Sequence, residues 1–190
     1  MATYRTFIAV ETSPDVRAGA ERLIQRLRLA NAKVNWVDSG NIHLTLKFLG
    51  DLSEQQVADV CRSVGESASQ AVPFEITCHG AGAFPATERP RTVWIGMSDG
   101  QDQLVRLQRA IEDELEQLGF AREHRRFRPH LTIGRVRGQG AGVGELGQLI
   151  EQHQDTPIGR SIVDEVVVFS SVLTRDGPIY TPLSSAELGA

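Results

Sequence analysis

The sequence predicts an α+β fold in which antiparallel sheets are backed by helices, and three observations carry that prediction. Stretches that alternate with a period of two are mixed with stretches of helical periodicity, but the regular strand-helix alternation of a parallel sheet is missing. Asn41 to Gly50, N-I-H-L-T-L-K-F-L-G, has a strand's alternation: His43, Thr45 and Lys47 on one face, Leu44, Leu46 and Phe48 on the other. The chain then writes this pattern again. Phe127 to Arg135, F-R-P-H-L-T-I-G-R, sets His130 and Thr132 on one face and Leu131 and Ile133 on the other. The order of elements hints at a coarse duplication, each half holding one His-x-Thr strand, without a fixed-period repeat. At 190 residues the chain can bury a core without disulfide or metal staples; residues 1–185 are expected to form one domain and 186–190 a tail.

Each element has its own local cause. Thr6 to Val10 reads as a first strand, and Ser13 and Pro14 stand in the order of an N-cap and first helical position. The helix they open buries Val16, Ala20, Leu23, Ile24 and Leu27 at three- and four-residue spacing. Val34 to Val37 is a short strand, and the turn cluster Asp38 to Asn41 predicts that it pairs with the His43 strand as a hairpin. Ser53 and Gln56 form a capping box for a helix expected to stop near Gly65. Pro73 to Cys78 and Arg91 to Met97 read as strands around a Gly/Pro-rich connection. Asp102 to Leu118 is helical, with Gly119 as its left-handed cap. After the second motif, a Gly-rich passage from Gly138 to Gly147 leads into a short helix ending before Pro157. Ser161 to Leu173 is the strongest strand, with Asp176-Gly177 as a turn and Ile179 to Pro182 as its return.

Composition narrows the function classes. A net charge of -4 argues against a protein that coats nucleic acid through bulk electrostatics, so any phosphate site must be local. Cys61 and Cys78 are too few for a disulfide framework and lack zinc-ligand spacing, which makes a reducing cytoplasm the simplest compartment. No apolar run approaches the ~20 residues of a membrane helix, and the N-terminus is too short and poorly flanked for a signal peptide. A monomer without a membrane partner is expected.

A histidine beside a hydroxyl on one strand face can hold an anion and move a proton near neutral pH, since free imidazole titrates near ~6.5. Two such pairs can divide the labour. In attack of water on a cyclic phosphodiester, one neutral imidazole takes the water's proton and one imidazolium protonates the departing ribose oxygen. Threonine hydroxyls donate to the non-bridging oxygens. The competing readings are a metal site, for which neither motif supplies an acidic or thiol partner at recognisable spacing, and two ordinary half-buried strands. The repetition of the pattern favours function, with no cofactor or metal.

These motifs, with the opening R-T-F-I-A-V-E, Trp36 and the late S-S-V-L, Gly177 and Tyr180, identify a resemblance that covers nearly the whole chain. The sequence resembles the 2H phosphoesterase superfamily and, within it, the RNA 2′,3′-cyclic phosphodiesterases, also described as 2′-5′ RNA ligases. The resemblance implies a bilobal fold in which two antiparallel sheets face each other across a cleft, helices outside, each lobe contributing one motif. It implies His43 as general acid, His130 as general base, and Thr45 and Thr132 as phosphate-binding hydroxyls. It further implies opening of RNA or nucleotide cyclic phosphates to 2′-phosphates, with ligation as the reverse reaction. A small cyclic nucleotide, an ADP-ribose cyclic phosphate, or RNA-end binding without turnover are the alternatives.

Several further residues have two readings each. Arg135 resembles the family's additional phosphate-binding arginine, but five residues after His130 it should face away unless the strand bulges or ends there. Gly134 relieves crowding. Lys47 shares the His43 face as a phosphate contact, or is a rim lysine. Arg125, Arg126 and Arg128, in the densest cationic run, steer RNA or form a solvated loop. Phe7, Trp36, Phe48, Phe84 and Trp94 include candidate base platforms, although strand aromatics are mostly core.

Overall fold

A computed structural model describes residues 3–175 and 177–189 of the chain. Its strands form two antiparallel sheets. The first has the order β3-β1-β8-β9, built from β1 (Thr3–Glu11), β3 (His43–Ser53), β8 (Glu165–Thr174) and β9 (Gly177–Glu187). The second has the order β2-β6-β5-β4-β7: β2 (Val34–Trp36), β4 (Phe74–Phe84), β5 (Thr92–Asp99), β6 (Leu131–Val136) and β7 (Pro157–Val163). Four helices pack against them: α1 (Pro14–Leu27), α2 (Glu54–Ser69), α3 (Gln101–Gln117) and α4 (Val143–Gln152).

The helix starts follow their local chemistry. Ser13 accepts a hydrogen bond from the Val16 N–H with Pro14 in the first turn, and Ser53 and Gln56 form the reciprocal capping box. Gly119 takes φ 87 just beyond α3. The apolar stripes of α1, α2 and α3 meet Ile8, Leu44, Ile76, Ile95, Leu131 and Ile133 in the core, each such side chain contributing ~1.5–3 kcal/mol of burial. Among the described residues no helix is long and apolar enough to cross a membrane.

Several boundaries differ from the sequence-based expectations for tertiary reasons. Helix α2 runs to Ser69, because Ser67 and Ala68 continue its buried stripe and one glycine costs only about 1 kcal/mol. The predicted β2–β3 hairpin does not form. β2 pairs with β6 in the second sheet, and the Ser39–Asn41 turn carries the chain across to the first. The apolar run 161–173 is two strands that break at Asp164 and enter different sheets. Strand β9 reaches Glu187, and Leu188 is buried with its N–H donating to the Asp164 carbonyl at 2.7 Å, so residues 186–188 of the expected tail pack with the fold; Ala190 lies outside the described residues. Of the predicted Asp176-Gly177 turn, Asp176 lies outside the described residues, and Gly177 opens β9.

Candidate active site

The two motif strands reach the inner faces of their sheets by the same device. His43 lies opposite Glu11 of β1 and Thr45 opposite Ala9, but the register then slips, so that Ile8 faces Lys47 and Leu46 is the extra residue of a bulge. Leu46 and Lys47 both turn to the helix side and Phe48 returns to the inner face opposite Phe7. In the second sheet Thr132 lies opposite Trp94, the register slips at Ile133, and Gly134 and Arg135 face Val93 and Thr92. The fifth residue after each histidine therefore regains the motif face: Phe48 in one sheet, Arg135 in the other.

This settles two parity questions in opposite directions. Arg135 joins His130 and Thr132, and its charge reaches the His130 ring. Lys47 does not share the His43 face, which corrects the alternation reading. It is 5% exposed, its Nζ 2.5 Å from Glu112 of α3 and 2.9 Å from the Ala121 carbonyl. Phe48, expected in the core, is 64% exposed instead. Gly134 is required by contact, since a Cβ there would stand 2.8 Å from the Trp36 ring.

Both imidazoles are fixed alike. His43 Nδ1 lies 2.8 Å from the Asn41 carbonyl oxygen, and His130 Nδ1 lies 2.6 Å from that of Arg128. A carbonyl only accepts, so Nδ1 carries the hydrogen in each ring and Nε2 is left for chemistry. Aromatic rings hold the orientation. Phe7 stacks on His43 at 5.0 Å between centroids and Tyr180 meets it edge-on at 5.2 Å; Phe84 meets His130 edge-on at 5.1 Å, with Trp94 at 6.4 Å. Trp94 lies across Gly82, where a Cβ would fall 2.2 Å from the indole.

Burial pushes both imidazoles below the ordinary histidine pKa, because each is desolvated more than its carbonyl bond compensates. His130 has a further cause in the Arg135 charge, which opposes a second positive charge beside it. The two histidines thus share a tautomer and differ in electrostatic surroundings.

The motif strands converge. β3 and β6 lie within 8 Å of each other, Cα to Cα, although they belong to different sheets. Arg135 also lies near enough to Tyr180 to oppose the rise that burial gives its phenol pKa, while Tyr180 packs on His43. Tyr180 thus touches His43 in the first sheet and feels the Arg135 charge of the second, the same charge that acts on His130.

The other predicted residues separate by environment. Arg125, Arg126 and Arg128 are exposed on the irregular segment entering β6, while Arg122 of the same run is held by Asp113 and Glu116 of α3. Trp36 packs against the main core rather than into the cleft. No group of three His, Cys, Asp or Glu able to hold a metal occurs among the described residues. Sequence reasoning missed Asn41, read only as a turn residue, whose carbonyl fixes His43 and whose side-chain amide donates to the Pro178 carbonyl at 3.2 Å. It also missed Phe169, whose ring stacks on Phe7 at 5.3 Å; the continuous apolar run around it conceals which face it takes.

The family model of the 2′-5′ RNA ligase superfamily matches residues 14–173. The chain is 37% identical over 184 residues to the RNA 2′,3′-cyclic phosphodiesterase of Methanothermobacter thermautotrophicus, covering 97% of this chain and 98% of that protein. It is 33% identical over 190 residues to the protein of the same name from Aquifex aeolicus, with full coverage of both. The apo crystal structure of E. coli LigT superposes with a TM-score of 0.79 at 24% identity over the whole of both chains, a likeness of fold.

Proposed function

The chain belongs to the 2′-5′ RNA ligase superfamily, and from that premise we infer that it opens RNA 2′,3′-cyclic phosphodiester ends to 2′-phosphates by two-histidine acid-base catalysis. His130 Nε2 takes a proton from water as the water oxygen attacks phosphorus, and the bond from phosphorus to O3′ breaks. His43, in its imidazolium form, gives its Nε2 proton to O3′. The hydroxyls of Thr45 and Thr132 donate to the non-bridging oxygens, and the Arg135 guanidinium stabilises the charge gathered there. The two imidazoles supply both proton transfers, so the step calls for no metal-activated water. With a ribose 5′-hydroxyl in place of water as the nucleophile, His130 takes its proton as the 5′ oxygen bonds to phosphorus, the bond to O3′ breaks with His43 protonating O3′, and the product is a 2′-5′ linkage, the reverse of 2′-5′ cleavage by the 3′-hydroxyl.

The electrostatic asymmetry supports this division of roles. The cation beside His130 favours the neutral imidazole that a base requires, whereas the surroundings of His43 add no comparable cationic cause. An anionic phosphate entering the cleft raises both pKa values and helps His43 hold its proton.

The observation that carries the reading is the pair of His-x-Thr strands, one from each sheet, with imidazoles fixed alike by a backbone carbonyl two residues earlier. The test is to supply an oligonucleotide ending in a 2′,3′-cyclic phosphate and identify the product. A 2′-phosphate is expected. A 3′-phosphate would overturn the assignment of the leaving oxygen, and an unchanged substrate would overturn the activity.

A further inference from the structure

The first sheet holds a cavity of about 370 Å³ beside His43, whose lining includes Asn41, Glu165, Phe169, Tyr180 and Ser185. Its volume lies within the ~300–1,000 Å³ range of small-ligand pockets. Its chemistry differs from that of the phosphate site. Phe169 and Tyr180 present ring surface, while two carboxylates join the lining: Glu11, opposite His43 and paired with Arg17 at 3.4 Å, and half-buried Glu165, which accepts from the Ser185 hydroxyl. Among the described residues Glu165 has no cationic partner. The cations, Arg135 with Arg125, Arg126 and Arg128, belong to β6 and its approach in the other half of the molecule.

This polarity dictates the occupant. In-line displacement sets the attacking water and the leaving oxygen on opposite sides of phosphorus, so the ribose bearing O3′ lies on the side of His43, its proton donor. The base of that ribose then extends into the neighbouring cavity. Carboxylates reject a further phosphate there and accept only from N–H or O–H donors. Guanine offers two adjacent donors, N1–H and N2–H, to one carboxylate. Adenine and cytosine each offer an amino group beside a ring acceptor, and uracil offers one N–H flanked by two carbonyl oxygens that a carboxylate repels.

We propose that this cavity is a base-selective subsite for the terminal nucleoside of the cyclic phosphate, with Glu165 as its acceptor and guanine its preferred base. The proposal rests on the cyclic phosphodiesterase reading and adds the substrate preference. Phe169 and Tyr180 supply the base-independent surface, and Ser185, donating to Oε2, orients Glu165 while leaving Oε1 and the second lone pair of Oε2 for the two guanine donors.

The test compares kcat/KM for the four nucleoside 2′,3′-cyclic monophosphates in the wild type and in Glu165→Gln. Guanosine is expected to exceed uridine by about tenfold, with adenosine and cytidine between, within the range of a bidentate base contact. In Glu165→Gln the guanosine substrate loses more than the uridine one and their ratio approaches one. Equal rates for guanosine and uridine in the wild type, or a ratio untouched by the substitution, would overturn the subsite. Calorimetry with guanosine and uridine 2′-monophosphate needs no turnover and reads the same preference as a difference in Kd. Tighter guanosine binding without hydrolysis would sink the catalytic reading alone, and equal binding would sink the base preference alone. Should the variant fail to fold, the wild-type ratio and the two Kd values still decide.

Discussion

Arg135 and Tyr180 come from different sheets, yet the guanidinium lies near enough to oppose the upward push that burial gives the phenol. Arg135 faces the cleft because one extra residue at Ile133 reverses the strand's parity, and Tyr180 faces it while packing edge-on to His43. A backbone irregularity in one sheet thus puts the Arg135 charge within reach of both His130 and the Tyr180 ring that packs on His43.

Replacing Arg135 by Gln is expected to move the acidic limb of the kcat/KM profile to higher pH. If His130 is the proposed base it must be neutral in the free enzyme, and in the wild type burial and the Arg135 charge hold it below the ordinary histidine value. Removing that charge makes the imidazolium less costly, raises the pKa and shrinks the neutral fraction at mildly acid pH. A limb that stays in place or moves down, measured with a cyclic mononucleotide, would sever Arg135 from the base.

His43→Ala and His130→Ala should each lower kcat by about 10²–10⁴-fold, the usual worth of a positioned acid or base. Measurement at substrate saturation separates this from weaker binding. Retention of wild-type kcat in either variant would remove that histidine from the chemistry.

Phe48→Ala should weaken binding of an oligonucleotide end by about tenfold, within the range of one lost base-stacking platform, and leave thermal unfolding unchanged because the ring is mostly exposed. Fluorescence titration alongside a melting curve reads both. A lower Tm with unchanged affinity would make Phe48 structural.

Lys47→Met is expected to do the reverse. Its side chain and that of Glu112 are 4% and 6% exposed, and Glu112 also accepts from the Glu123 N–H while Lys47 holds the Ala121 carbonyl. Removing one charge strands the other, at a cost of about 3–5 kcal/mol. The double change Lys47→Met with Glu112→Leu should recover part of that loss in urea unfolding; additive losses would argue against the pair.

Gly82→Ala should disturb the second motif from two strands away. The added methyl meets the Trp94 indole, which backs His130 together with Phe84. The expected result is a fall in kcat larger than the fall in stability predicts, read from activity and chemical denaturation on one preparation. A variant equal to wild type in both would show that Trp94 has room to move.

Much of the fold was legible because its causes are local. The capping box at Ser53 and Gln56, the Ser13-Pro14 start and the Gly119 stop each satisfy backbone groups within a few residues. The pairing of β2 with β6, the division of the 161–173 run at Asp164 and the continuation of β9 to Glu187 were not legible. Which sheet a strand joins depends on edges offered by residues far away in the chain.

The same division runs through the site. Alternation over three residues was enough to place His43 with Thr45 and His130 with Thr132, since that span is shorter than the distance to either bulge. Period-two arithmetic failed beyond it: it assigned Lys47 to the motif face and Phe48 to the core, and left Arg135 facing away but for a bulge. The sequence by itself determined the two chemical pairs and the strands that bear them. Only the tertiary structure decided their company, because a bulge answers to the register of the partner strand, and a cleft exists only once two sheets have packed.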